Sequence, residues 1–209
     1  MSSHAGRADR GPTEQTRAAK QGDESVGWYF ADVPNRSIAA LLDAVVLSVL
    51  AFMAAVAISL VFGPIVTLEL AADPVITVNQ GLAFADAAVT TCISAVYFVL
   101  TWRRLGASPG HRVLGMRIWG GDRWQPMTIK QGIVRWSLVG LPLGIQGVAS
   151  VGLGGRADAV LFGIVVAWYL VLLITTARSP TKRGLHDRAA GTVVTKLARY
   201  AASGDPATS

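Results

Sequence analysis

The sequence has little of what most enzymes and metal proteins need at a site. It contains one cysteine, Cys92, and three histidines, so an intramolecular disulfide is excluded and no group has the spacing of metal ligands. It contains no serine nucleophile elbow and no glycine loop for phosphate. We therefore predict a protein that is not an enzyme and that has no metal or cofactor. Residues 1–27 lack the short apolar run of a signal peptide.

Charge is missing from four long stretches, and this absence is the strongest signal in the sequence. A helix of about 20 apolar residues crosses the roughly 30 Å of hydrocarbon in a bilayer. The uncharged stretches are 44–68, 87–102, 136–155 and 159–177. They predict an all-α membrane protein with four transmembrane helices, at about 38–62, 82–102, 133–153 and 158–177.

Basic residues are nearly absent from two of the connections between these spans. Of the 19 lysines and arginines, only Arg156 lies in either connection. Because lysine and arginine are retained in the cytoplasm, this bias predicts that both termini are cytoplasmic. The same bias accounts for the net charge of +6 and the pI near 10, so nucleic acid is not an expected partner. The expected partner is the lipid bilayer, including anionic headgroups near the basic segments.

The segments outside the spans predict two tails and a small sheet. We expect a membrane domain over 28–197, with disordered tails at 1–27 and 198–209. Residues 113–119 alternate between apolar and polar side chains, and 191–195 are rich in β-branched residues. This pattern predicts a two-stranded cytoplasmic β-ladder between these two segments.

Asp43 is the most informative single residue, because a carboxylate inside a span is costly and marks a functional site by default. It lies about 10 Å along the helix axis from Arg36, on the same face. Two interpretations stay open. Asp43 forms a structural ion pair with Arg36, Arg112 or Arg188, or it binds a cation or a proton.

Two further groups are candidates. Asp86 lies at the outer end of the second span, where it either caps the helix or takes part in transport. His186 is able to titrate near neutral pH beside Asp187 and to relay protons, or the two residues only bond to backbone in a loop. His4 and His111 are isolated in the sequence.

Three sequence motifs resemble the RDD family of bacterial membrane proteins, which is named for one arginine and two aspartates. Arg36 and Asp43 match the arginine and aspartate of the first helix. Residues 185–192, LHDRAAGT, match the tail motif, which makes Asp187 the second aspartate. Residues 109–118, PGHRVLGMRI, are similar to the basic loop of the family. The resulting site candidates are Arg36, Asp43, His186 and Asp187, with Asp86, Arg112, Arg117 and Arg188 as secondary candidates.

The resemblance implies a multi-pass protein of the bacterial cell membrane. It also implies transport of a ligand that the family does not define, with cation/proton exchange proposed for some members. Since four helices are few for a complete pathway, we expect a homo-oligomer or a membrane partner protein. The alternative is a scaffold or regulator that does not transport and that recruits a partner complex through the basic loop at 103–135.

Overall fold

The computed structural model describes residues 26–70, 73–121 and 125–199. Contacts divide the chain into a large unit, Tyr29–Lys196, and a small one made of Met1–Trp28 and Leu197–Ser209. Most of the predicted disordered tails lies outside the described residues. The described residues 26–27 and 198–199 belong to strands, and the prediction of disorder for the rest of the tails stays untested.

Helices form most of the large unit. They are α1 (Val33–Phe62), α2 (Gln80–Leu105), α3 (Pro109–Val113), α4 (Ile129–Val139), α5 (Leu141–Gly152), α6 (Gly155–Arg178) and α7 (Leu185–Ala190). In the described part of the chain, α1, α2 and α6 are each long and apolar enough to cross a membrane, with best-window mean hydropathies of 2.8, 1.7 and 2.4. Exposed apolar side chains cover their outward faces, as a lipid-facing surface requires.

The third predicted span is not one continuous helix. Helices α4 and α5 meet at Gly140 with a bend of 50°. Pro142 lies in the first turn of α5, where its missing N–H would have no partner within the helix in any case. In one continuous helix from α4 to α5, the same proline would be in the interior, where it removes a hydrogen bond and clashes with the preceding turn. The described residues therefore contain three helices that are able to cross a membrane, or four candidate spans if the bent pair counts as one.

The helix ends follow local sequence signals. Pro34 fits the first turn of α1, so α1 begins at Val33, before the predicted start. Asn79 caps α2 by accepting the Leu82 amide at 3.2 Å, and Gly106, with a φ of 68°, ends it. Thr128 and Gln131 form the capping box that opens α4.

In the described part of the chain, five strands accompany the helices, whereas the sequence predicted an all-α fold with one two-stranded ladder. They are β1 (Val26–Phe30), β2 (Val66–Glu69), β3 (Val75–Val78), β4 (Met116–Gly120) and β5 (Thr192–Arg199). Strands β2 and β3 form an antiparallel hairpin between α1 and α2, and every one of their residues is exposed.

The second sheet has three strands, in the order β1-β5-β4, rather than the two that were predicted. Strands β4 and β5 are antiparallel, with a register that runs from Met116 opposite Lys196 to Gly120 opposite Thr192. Val113 ends α3 instead of opening the strand. Gly115, with a φ of 66°, makes the turn between helix and strand that most other residues would resist.

A small apolar core lies where this sheet meets the helices. Its buried members are Ala31, Ala39, Trp102, Met116, Ile118, Met127 and Val194. We call this end of the bundle, where α1 begins and α2 ends, the loop end. The predicted site residues Arg36, Asp43 and Asp187 all belong to elements of the loop end.

Candidate functional site

Asp43 lies on α1 at the loop end and is enclosed by protein, with 1 % of its surface exposed. Its Oδ1 accepts the Tyr97 hydroxyl at 2.8 Å and the Gly110 amide at 2.8 Å. Its Oδ2 accepts the hydroxyl of Ser108 and lies 3.5 Å from Nδ1 of His111. These five residues are called the Asp43 cluster. They join α1, α2 and α3 through a single carboxylate.

Helix α3 reaches Asp43 because Gly110 has no side chain. A Cβ at this position would overlap the Ala39 carbonyl oxygen of α1 and would lie 3.0 Å from the Asp43 carboxylate. Glycine therefore allows the backbone of α3 to approach α1 closely enough for its amide to reach the carboxylate. Ser108, in the extended conformation just before α3, turns its hydroxyl to the same group.

His111 is neutral in this environment. Burial lowers the pKa of its imidazole, the hydrogen bond with Asp43 opposes that shift, and the charges of Arg135 and Arg36 lower the pKa further. Ser108 Oγ lies 2.6 Å from His111 Nδ1 and donates to Asp43. The serine hydroxyl thus accepts the Nδ1 proton of a neutral imidazole, and a continuous chain runs from His111 through Ser108 to Asp43.

A second carboxylate, Asp187 on α7, is completely buried. Arg36 donates to its Oδ2 through Nη1 at 2.6 Å, and Arg135 donates to its Oδ1 through Nη1. The Gly184 amide also donates to Oδ2, at 3.3 Å. Arg135 Nη1 donates in addition to the Thr192 hydroxyl at 2.8 Å. These residues form the Asp187 cluster, which ties the start of α1 and the second half of α4 to α7 and β5.

The pKa values of Asp187 and of its neighbour His186 are shifted strongly. Burial raises the pKa of Asp187, but the charges of Arg135, His186 and Arg36 outweigh burial and hold the pKa of this carboxyl well below its usual range. Burial lowers the pKa of His186 to about 4, against the opposing charge of Asp187. Hence Asp187 is ionised and His186 is neutral at pH 7. This lowered pKa does not favour titration of His186 near neutral pH, which was one of the two interpretations left open by the sequence.

The cluster also holds buried donors that no described residue satisfies. They are Arg36 Nη2, Arg135 Nε and Trp102 Nε1. The guanidinium of Arg135 lies 5.2 Å from the Trp102 ring centroid, as a cation–π contact. Two arginines facing one carboxylate leave one positive charge in excess, while the Asp43 cluster carries a net negative charge. Since the arginines lower the pKa of His111, the two clusters interact electrostatically.

Comparison with known proteins decides the family. The sequence model of the RDD family, a family of membrane proteins, matches residues 30–191. The chain belongs to the RDD family. Comparisons with curated proteins and with solved structures found no match. The resemblance inferred from the sequence motifs is therefore confirmed, and the matched range contains both buried aspartates and Arg36.

The partners of the RDD aspartates differ from those expected. Arg36 was one of the partners that the sequence left open for Asp43, but in the structure Arg36 pairs with Asp187 instead. The other proposed partners of Asp43, Arg112 and Arg188, are exposed. The physical reason is the position of each residue along α1. Helix α3 fills the space beside Asp43, whereas Arg36 lies two turns nearer the start of α1, beside α7, and therefore reaches Asp187.

The secondary candidates lie outside both RDD clusters. Arg117 is exposed and stacks on Trp119, with its guanidinium 4.5 Å from the ring centroid. Asp86 does not cap α2, because Asn79 does so, and it lies more than a turn inside the helix. Tyr97 comes eleven positions after Asp86, which places Asp86 about 16 Å along the helix axis from the Asp43 cluster.

Sequence reasoning missed several residues of these RDD clusters. Ser108, Tyr97 and Arg135 were not candidates, and His111 was considered isolated. The sequence did contain a signal for Arg135, because it is the last charged residue before the third uncharged stretch. Asp43 holds the same position before the first stretch. Tyr97 and Ser108 gave no signal, because a tyrosine in a span and a serine before a proline are common.

Proposed function

We propose that this RDD protein is a cation/proton antiporter subunit of the bacterial cell membrane, with its loop end in the cytoplasm and Asp43 as the group that exchanges protons. The observation that supports this most directly is Asp43 itself. It is a buried carboxylate in an otherwise uncharged helix interior, and intramembrane carboxylates serve as proton and ion sites by default.

The Asp43 cluster supplies a route for the proton. His111 accepts a proton on Nε2 and releases the one on Nδ1 to Ser108 Oγ, which passes its own proton to Asp43 Oδ2. Charge is conserved along this chain, and Ser108 ends as it began. Tyr97 and the Gly110 amide keep Oδ1 in place throughout.

Protonation of Asp43 also changes how α3 is held. A neutral carboxyl accepts weaker hydrogen bonds than a carboxylate does. When Asp43 takes up a proton, its bonds to Ser108 and Gly110 weaken, and α3 is released from α1. Proton uptake is thereby coupled to movement of the loop that closes the bundle, which is what an alternating-access cycle requires.

The Asp187 cluster has a different role in this proposal. Because its carboxyl has a pKa well below the usual range, it does not take up a proton near neutral pH. It acts as a fixed clamp between α1, α4 and α7, around which α3 moves. With three or four spans, a single copy encloses little of a pathway, so we place the pathway at a contact with a second copy.

The test is proton flux driven by sodium or potassium gradients in proteoliposomes that contain an internal pH dye. Wild type should exchange protons, and Asp43→Asn should reduce the rate to that of empty vesicles. Asp158→Asn, which changes a helix carboxylate bonded to neutral Gln146, should retain activity. Monodisperse elution in detergent checks the folding of each variant. Equal rates for wild type and Asp43→Asn would contradict the proposal.

A scaffold function is the second candidate, and one observation favours it. Arg112, Arg117 and Arg188 are exposed at the loop end, and no described acidic residue forms an ion pair with them. Such a surface suits an acidic partner protein or anionic headgroups. If both the wild type and Asp43→Asn are inactive in flux, while a triple change of these arginines to glutamine abolishes copurification of one partner, the scaffold function is supported instead.

A further inference from the structure

A cavity of about 530 Å³, wide open to the surface of the bundle, lies far from both clusters, between the last turns of α1 and the outer part of α2. Its volume falls in the range of sites for small molecules. Its walls are almost wholly apolar and include Phe52, Val56, Leu60 and Val66. Two lining side chains carry oxygen, Ser59 and Asp86.

Asp86 is a carboxylate without a partner. Its Oδ1 is buried, and no hydrogen bond reaches this atom from the described residues. It is not needed at the helix start, where Asn79 caps α2. A buried carboxylate oxygen without a donor is costly in apolar surroundings. The rest of the side chain is half-buried, and a positive charge beside Asp86 would offset that cost.

The next polar residue on the same face of α2 supports this view. Thr90 lies one turn beyond Asp86, and its hydroxyl is buried and without a partner in the described part of the chain. Other threonines of α2 bond to their own helix: Thr91 donates to the Ala87 carbonyl at 2.7 Å and Thr101 to the Tyr97 carbonyl at 2.7 Å. Thr90 thus places a second unpaired oxygen on the next turn of α2, although it does not line the cavity itself.

We propose that this cavity binds an organic cation, whose apolar body contacts the walls and whose charge lies beside Asp86. An anion is excluded by the charge of the carboxylate. A bare metal ion is a poor fit, because hard cations take six or more oxygen ligands and the lining has two residues with side-chain oxygens. Phe52 and Leu60 are 69 % and 81 % exposed, so the cavity borders the lipid-facing surface and the ligand enters from the membrane.

This inference stands apart from proton exchange at Asp43 and remains valid if that proposal fails. The probes are tetraphenylphosphonium and tetraphenylborate, which share shape and apolar surface but carry opposite charges. Binding of each is measured by equilibrium dialysis against the full chain in an uncharged maltoside detergent, which adds no ammonium group. Wild type should bind the phosphonium with at least about tenfold higher affinity than the borate.

Two variants separate the charge from the cavity. Asp86→Asn keeps the shape of the side chain and should weaken phosphonium binding about tenfold, while Asp73→Asn, an exposed carboxylate elsewhere, should not. Val56→Phe fills the cavity and leaves Asp86 in place, and it should weaken binding as well. Equal binding of both probes to wild type, or unchanged phosphonium binding by Asp86→Asn, would overturn the proposal.

Discussion

Removing the charge of Asp187 should destabilise this protein more than any other single carboxylate change. Asp187 is fully buried and pairs with two guanidinium groups, of Arg36 and Arg135. In Asp187→Asn, the side chain keeps its shape but leaves both arginines buried without a countercharge. The variant therefore tests whether the family aspartate of the tail acts as a clamp.

The expected magnitude follows from the burial of the partners. Breaking a buried ion pair by removing one member typically costs about 3–5 kcal/mol, because the charge left behind stays desolvated. The Arg36 and Arg135 side chains are 11 % and 5 % exposed, so water is unable to replace the lost carboxylate. For a chain of this length, about 2–4 °C of Tm corresponds to each kcal/mol. We expect Tm to fall by roughly 6–20 °C.

The assay is thermal unfolding in detergent, followed by tryptophan fluorescence. Asp158→Asn is the matched control, since Asp158 accepts a hydrogen bond from the neutral Gln146 at 2.7 Å. Asparagine keeps an acceptor oxygen at this position, so the bond is weakened but not lost, and the change should cost about 1 kcal/mol or less. A double variant, Asp187→Asn with Arg135→Met, removes one unpaired charge and should be more stable than the sum of the single changes predicts. A fall in Tm no larger than that of the control would refute the clamp.

Two further predictions concern pH and the contact between α3 and α1. Because burial lowers the pKa of His186 to about 4, the unfolded chain takes up this proton first on acidification. Stability should therefore fall by up to about 3 kcal/mol from pH 6.5 to pH 4, with a smaller fall in His186→Gln, as thermal unfolding would show. Gly110→Ala places a Cβ against the Ala39 carbonyl, so we expect it to lower Tm by several degrees, whereas Gly147→Ala, where a Cβ meets nothing, should not. Unchanged stability in Gly110→Ala would contradict the close approach.

The membrane character was readable from the sequence because it depends on composition over whole segments. An uncharged stretch of this length forms a helix in a bilayer, because a helix satisfies its own backbone hydrogen bonds. The helices α1, α2 and α6 follow three of these stretches closely. The break between α4 and α5 was less evident, since Pro142 alone does not say whether a helix kinks or ends. The hairpin of β2 and β3 gave no periodic signal, because all its residues are exposed.

The residues of the two clusters could be named in part but could not be paired. Arg36 and Asp43 stood out because charge beside or inside an apolar helix is costly, and that cost can be read from one position at a time. Asp187 stood out only because residues 185–192 resemble the tail motif of the family. Which residues pair depends on their distance in the fold, and the partners of Asp187 come from 151 and 52 residues away. The sequence therefore left the partner of Asp43 open, and the contact with Arg36 that its spacing allowed does not form.

The sequence by itself determined that this chain lies in a membrane, that it belongs to the RDD family, and that three charges are exceptional, because each conclusion depends on local polarity or on motif residues. Only the tertiary structure decided that Arg36 and Arg135 share Asp187, while neutral donors surround Asp43. The reason is that α3 and α7 pack against α1 at different depths, and a carboxylate in a dry interior bonds to whichever donors the packing brings within reach.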